Sequence, residues 1–500
     1  MKAKMLLLSA AFALTPLLSG QVNCTSYTQF DTHFQPVLNV SQGPLVCQYP
    51  FNATALAQTY FGGNITQIEK NPTTEAIFIG LVAAGGAVTA PFNASIASQL
   101  AQLPMPSAAV GTVTLKSSPT DVGSPYDNLG PILADRPDTL PKHGLFLSFA
   151  YQHFNFTEID GIGLGSVSLA AVLHNTPTPS NYNGNTGTIN CTANPSLCGD
   201  FYVGLRTNIN MNLNQYIALL TYGLTHSTDI SVAVPINSVT VKTTSSQYNA
   251  FFYGPYSTAQ GQFSSPQYTE LAIYDPNHPS AQTPLVTSGS ANGIGDVTVN
   301  IKQMLLGKEG RYALAAGVLL RFPSGDSSNY LGSGAYGANI YALMEYRGTY
   351  KSMNIAPHLK FGYQWNSDSQ IMDILNPPHQ QLPGGLAYAF GADFGLYHHK
   401  YTNVTLAIDG VGNQYVNAPV LTSSSLSLPA VPPSQATLVI PSSLPTVAPT
   451  TTTYATFNFS GGVKYQISKH FIVYGNVLVP VNNVGLHSDP VPLVGIAFKK

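Results

Sequence analysis

The chain has 500 residues and a formal net charge of -2, and only 8% of its residues are charged. Soluble domains average roughly 25%. With no basic surface available, nucleic acid is excluded as a partner. The 44 glycines and 28 tyrosines point to an exported β-protein.

The N-terminus reads as a secretory signal: Met1 to Lys4 is basic, Met5 to Leu18 apolar, and Ser19-Gly20 small, giving a signal peptide over 1–20. Four cysteines in an oxidising compartment suggest two disulfides, Cys24 with Cys47 and Cys191 with Cys198, since no histidine or extra cysteine completes a metal site. Residues 21–143 lack a strand rhythm and carry no charge between Glu75 and Lys116. This segment is expected to be a plug in or under the barrel, a periplasmic cap or partly disordered, with Asp127 to Lys142 as a Pro-punctuated linker into the first strand.

From residue 144 onward the chain alternates apolar and polar residues, the period of strands with one face of each kind. The first three strands are expected at 144–156, 204–224 and 229–241. In the second, Arg206, Asn208 and Asn210 form a polar ladder opposite Ile209, Met211 and Leu213, and the ladder is assigned to the lumen. The stretch from Gly293 to Trp365 holds four more, with Val299, Ile301, Leu320, Ile340, Met344 and Phe361 on apolar faces and Lys302, Arg311, Arg321, Glu345, His358 and Lys360 on polar ones. These runs are about 12 to 15 residues, where soluble strands average about 5 or 6, and a tilted membrane strand needs about 9 to 11. Five strands follow, at 386–398, 401–413, 453–467, 470–483 and 491–499, with Asp393, Asp409 and Lys464 on their polar faces.

The twelve strands are joined by turns and loops in strict alternation. Short turns fall at 225–228, 307–310, 347–350, 398–401 and 467–470. Long loops fall at 157–203, 244–292, 323–335, 366–385, 414–452 and 484–490, the Ser/Thr/Pro-rich 414–452 as a mobile excursion. This is the pattern of an all-β, antiparallel, up-and-down transmembrane barrel, whose closure removes the sheet edges that lipid could not satisfy. A barrel over 144–500 in the outer membrane of a Gram-negative-type bacterium follows. Its partners are membrane lipid, small-molecule solutes and, during biogenesis, the outer-membrane assembly machinery.

Tyr222 to Thr225 with Ile230 to Pro235 resemble a "YGLT…P" hairpin. Gly293, Gly295 and Asp296 with Lys302, then Pro323, Gly325 and Asp326, resemble a "GxGD…K…PxGD" hairpin. Both are marks of the outer-membrane family named for the meta-pathway of phenol degradation. Over residues 200 to 500 the resemblance implies a barrel for uptake of aromatic or other small hydrophobic compounds. A structural role for the motif residues, with the glycines permitting turns and Asp296 and Asp326 capping loops, is weighed above a ligand role.

The inward charges of both signs fit either a hydrated pore or an ion-pair network filling a narrow lumen. The function expected is passive passage of small, uncharged or weakly polar solutes, with no cofactor. A structural or adhesive barrel using its long loops is the alternative. An outer-membrane hydrolase ranks below both, because no serine signature accompanies His358.

Overall fold

In the computed structural model the described residues are 93–101, 111–115, 124–174, 200–254 and 285–500, apart from 352, 370, 372–380 and 400–401, together with a few short ladder pieces. Twelve antiparallel strands close on themselves. The first, β1, is Leu145–Ile159, continued by Val167–His174. Next come β2 (Asp200–Gly223), β3 (Thr228–Gly254) and β4, which is Leu285–Ile294 continued by Val297–Leu306. Strands β5 (Tyr312–Phe322), β6 (Gly337–Tyr346), β7 (Met353–Asn366) and β8 (Gly385–His399) follow. Strands β9 (Thr402–Ser427), β10 (Ser443–Gln466), β11 (Phe471–Pro480) and β12 (Val491–Lys499) complete the wall. The ladder of β12 on β1, with Gly495 opposite Ala150, closes the cylinder.

The outer face carries the apolar set. Phe149, Tyr312, Ile340, Met344, Phe361, Trp365, Phe390, Phe459 and Ile496 are all exposed large hydrophobics. Along β5 the outward residues run from Tyr312 through Leu314, Val318 and Leu320 to Phe322. Tyr312 packs at a tilt against Tyr346 at the turn end, and Phe322 meets Tyr336 at the loop end. Ten residues at about 3.3 Å each, tilted by about 40°, span about 25 Å, the height of the apolar band of outer-membrane barrels. A sheet with an apolar outer belt must face lipid, and closure leaves its backbone satisfied there.

Above the band the wall continues and its polarity inverts. Strands β2, β3, β9 and β10 run 24, 27, 26 and 24 residues, much longer than the sequence rhythm suggested. The inversion occurs at one level across three strands, where Asn214 pairs with both His153 and Ser238. Beyond it Arg206, Asn208 and Asn210 are exposed on the outside, while Ile209, Met211 and Leu213 are buried within. Their expected lumen placement is therefore corrected. Outside the membrane the outer face meets water, and the apolar side must turn inward to find a core. The expected 414–452 excursion is likewise mostly strand: Tyr415 pairs with Tyr454 and Ser427 with Ser443, leaving 428–442 as the tip. Alternate Ser and Thr residues on a solvated ladder gave no apolar period from which to read it.

Candidate functional site: the filled barrel interior

The interior is occupied by the chain's own N-terminal part, in two layers. On the loop side lies the helix at 93–101. Its buried Ile96, Ala97 and Leu100 belong to one apolar cluster with Phe154, Ile209, Met211, Leu213, Val239 and Val241 of the wall. The loop after β5 folds inward to hold it. Tyr330 is fully buried and its hydroxyl donates to Asn93 Oδ1 at 2.9 Å, while Asn93 Nδ2 donates to the Ile371 carbonyl at 3.0 Å. Arg321 on β5 donates to the Ala101 carbonyl at 2.9 Å, meeting the helix at its C-terminal end, where a cation suits the exposed carbonyls.

The motif residues build this inward loop. Asp296 interrupts β4, turns inward, and accepts hydrogen bonds from the backbone N–H and the hydroxyl of Ser333, with Arg321 Nε at 3.7 Å. Asp326 accepts from Ser328 N at 3.0 Å and Asn329 Nδ2 at 2.6 Å. Pro323 and Gly325 lie where the chain leaves β5, and Gly293 and Gly295 flank the break in β4.

On the turn side the occupant is residues 128–142, taken from sequence as a linker. Five inward charges of the wall seat this segment: Lys302, Glu345, Arg347, Lys464 and Asp229. Lys302 Nζ donates to Asp135 Oδ1 at 3.1 Å and to the Arg136 carbonyl at 3.0 Å. Arg136 is 1% exposed and pairs with Glu345 at 3.2 Å. Arg347 donates to Glu345 at 2.8 Å and also binds Asp138 of the segment. Lys464 donates to the Leu129 carbonyl at 3.2 Å, and Asp229 accepts from Leu140 N at 3.4 Å. Leu129 and Ile132 are buried against Ile217, Ala407 and Tyr474 of the wall.

His358 lies in the same layer and is buried. Its Nε2 is 2.9 Å from Asp409 Oδ1 and its Nδ1 3.4 Å from Asp393 Oδ2. The two aspartates approach opposite nitrogens of the ring, whereas a metal would take one. The trio reads as a histidine held between carboxylates, beside Asn128, whose Nδ2 donates to the Asp393 carbonyl at 3.3 Å.

Two expected lumen residues behave differently. Arg311 is exposed at the turn rim. Lys360 points inward over the ring of Tyr341, 4.3 Å from its centroid. That ring lies flat across Gly317, where an added Cβ would come within 2.5 Å of it, and its hydroxyl donates to Asn300 Oδ1 at 2.7 Å. Between the two layers a cavity of about 240 Å³ remains. Asp135, Arg136 and Asp138 are what sequence reading missed. The signal was three charges of both signs within four residues, just before a wall with inward charges of both signs.

Cys24 and Cys47 stand opposite each other in a two-stranded ladder. Cys191 and Cys198, and the signal segment at 1–20, lie outside the described residues.

A closed wall with a lipid-facing belt, short turns at one end and long loops at the other is the architecture of the outer-membrane β-barrels of Gram-negative bacteria. No family model matches the chain, and no curated protein does. Among solved structures it is similar to an outer-membrane channel from Pseudomonas putida F1, at 13% identity and a TM-score of 0.35, over 73% of this chain and 98% of that one. It is also similar to a bacterial polysaccharide outer-membrane secretin (6%, 0.28, 73% and 100%) and to Pseudomonas putida OprB (8%, 0.22, 71% and 93%). Likeness at this level carries no statement about function.

Proposed function

We propose that the protein is an outer-membrane channel for passive uptake of small solutes, with residues 21–143 acting as its plug. The observation that carries this reading is the cavity of about 240 Å³ left between the inner segment and a closed wall. It is lined by amides, hydroxyls and apolar side chains, among them Asn237, Asn339, Gln364, Thr456 and Leu319, together with charges of both signs. Such a lining offers hydrogen bonds without the one-sign ring that selects ions. The motif resemblance to the phenol meta-pathway family supports small hydrophobic or aromatic compounds as the solutes.

The competing reading is an adhesive or structural barrel, favoured by the tall polar wall of β9 and β10 above the band. Solute flux into liposomes separates the two. Reconstituted protein is expected to admit small uncharged solutes, and deletion of 21–143 to raise the rate while the barrel stays heat-modifiable on gels. Exclusion of every small solute, with and without 21–143, would establish the adhesive reading instead.

A further inference from the structure

The cavity carries a charge pattern that the plug does not use up. Three cations line it, Lys302, Arg321 and Lys360, against two carboxylates, Asp135 and Asp296. Lys302 is bound to Asp135 at 3.1 Å. Arg321 lies 3.7 Å from Asp296 and donates to Asn366 Oδ1 at 2.8 Å. Lys360 has no such commitment. Among the described residues no carboxylate lies within 4.0 Å of its Nζ, which sits over the face of Tyr341. Asp135 also attracts it electrostatically, but that carboxylate is already held by Lys302. Asp229, the further carboxylate near Lys302, does not line the cavity.

An ammonium has three donors, and a ring face satisfies its charge without accepting them all. Leu100, Leu133, Leu319 and Val411 supply apolar surface. A cavity of this volume has room for a ring or short chain with one polar head.

Granted the solute entry proposed above, we infer that this cavity is a binding site for a small organic monocarboxylate, its carboxylate on Lys360 and its apolar body against the leucines. The site selects on the anionic head and a compact apolar body together. A neutral isostere leaves the ammonium as it is, and a bulky inorganic anion leaves the leucines bare.

The test is calorimetric titration of the full chain in detergent with benzoate and with the neutral near-isostere benzyl alcohol. Benzoate is expected to bind at least tenfold more tightly. Lys360→Met should abolish that preference and Lys360→Arg restore it, with heat-modifiability on gels confirming the folded barrel. Should Lys360→Met fail to fold, Leu319→Phe, which fills the cavity without altering charge, must weaken benzoate binding at least tenfold. Equal binding of the two probes by the native chain, or benzoate binding untouched by both Lys360→Met and Leu319→Phe, would overturn the inference and leave the channel reading standing. Tight, Lys360-dependent benzoate binding in a protein that passes no solute would instead keep the site and remove the channel.

Discussion

Arg347, at the end of β6, grips Asp138 of the inner segment while its Nη1 also donates to the Gly307 carbonyl of a turn at 2.8 Å. One side chain thereby ties the occupant of the barrel to its rim. Arg347 is buried but keeps Glu345 at 2.8 Å when Asp138 is removed, so cutting the pair costs less than the ~3–5 kcal/mol of a buried charge left alone. Asp138→Ala is expected to loosen the segment and raise conductance in planar bilayers while the barrel remains folded. Conductance unchanged from the native level would remove the tie from the account of closure.

Facing sets a second expectation. Phe361 is 54% exposed on the outer belt, and Lys360 beside it points inward. Phe361→Arg at mid-membrane depth should destabilise the barrel by about 2–4 kcal/mol, as read from folding into lipid vesicles over a urea series. Lys360→Met should change stability far less. Similar costs at the two positions would contradict the register.

Acid should act on the inner segment through Asp135. Burial pushes its carboxyl up, but Lys302 and Lys360 outweigh burial and hold it below the ordinary 3.8. A depressed carboxylate stabilises the docked state fully above that ordinary value and loses this contribution as pH falls through the lower, docked one. The Asp135 contribution to closure should therefore be constant from pH 7 to about pH 4, with its own conductance step appearing only in stronger acid. Asp135→Asn should abolish that acid step.

The cysteines give a covalent check. Directly opposed residues of an antiparallel ladder lie at a separation a disulfide can span. Non-reduced peptide mapping of exported protein is expected to find Cys24 joined to Cys47 and Cys191 joined to Cys198. Free thiols, or crossed pairing, would dissolve the proposed framework.

Much of the wall was legible in sequence because lipid imposes one rule on every strand. Runs such as Val297–Leu306 and Met353–Asn366 place most of their apolar side chains at alternate positions. The inward direction of Lys302, Arg321, Glu345, His358 and Lys464 followed from that alternation. What the rule does not cover was misread. Above the membrane Ile209 and Met211 turn inward and Asn208 outward, the same period with opposite meaning, and no local residue marks where the environment changes. The partners of the inward charges were hidden for another reason. Asp135 and Arg136 meet Lys302 and Glu345 across 167 and 209 positions, and period-two reasoning says nothing about contacts across such a distance.

The β1–β12 ladder fixes an order of events. Ala150 finds Gly495 only when nearly all of the wall exists, whereas the helix at 93–101 and the segment at 128–142 precede β1 in the chain. The occupant is thus present before the room that encloses it has walls. It need never be threaded through a finished mouth, since the growing sheet can curl around it and seal with the final strand. Moving that segment behind β12 by circular permutation would preserve every contact on paper. It would ask the cell to put a ship into a bottle already made.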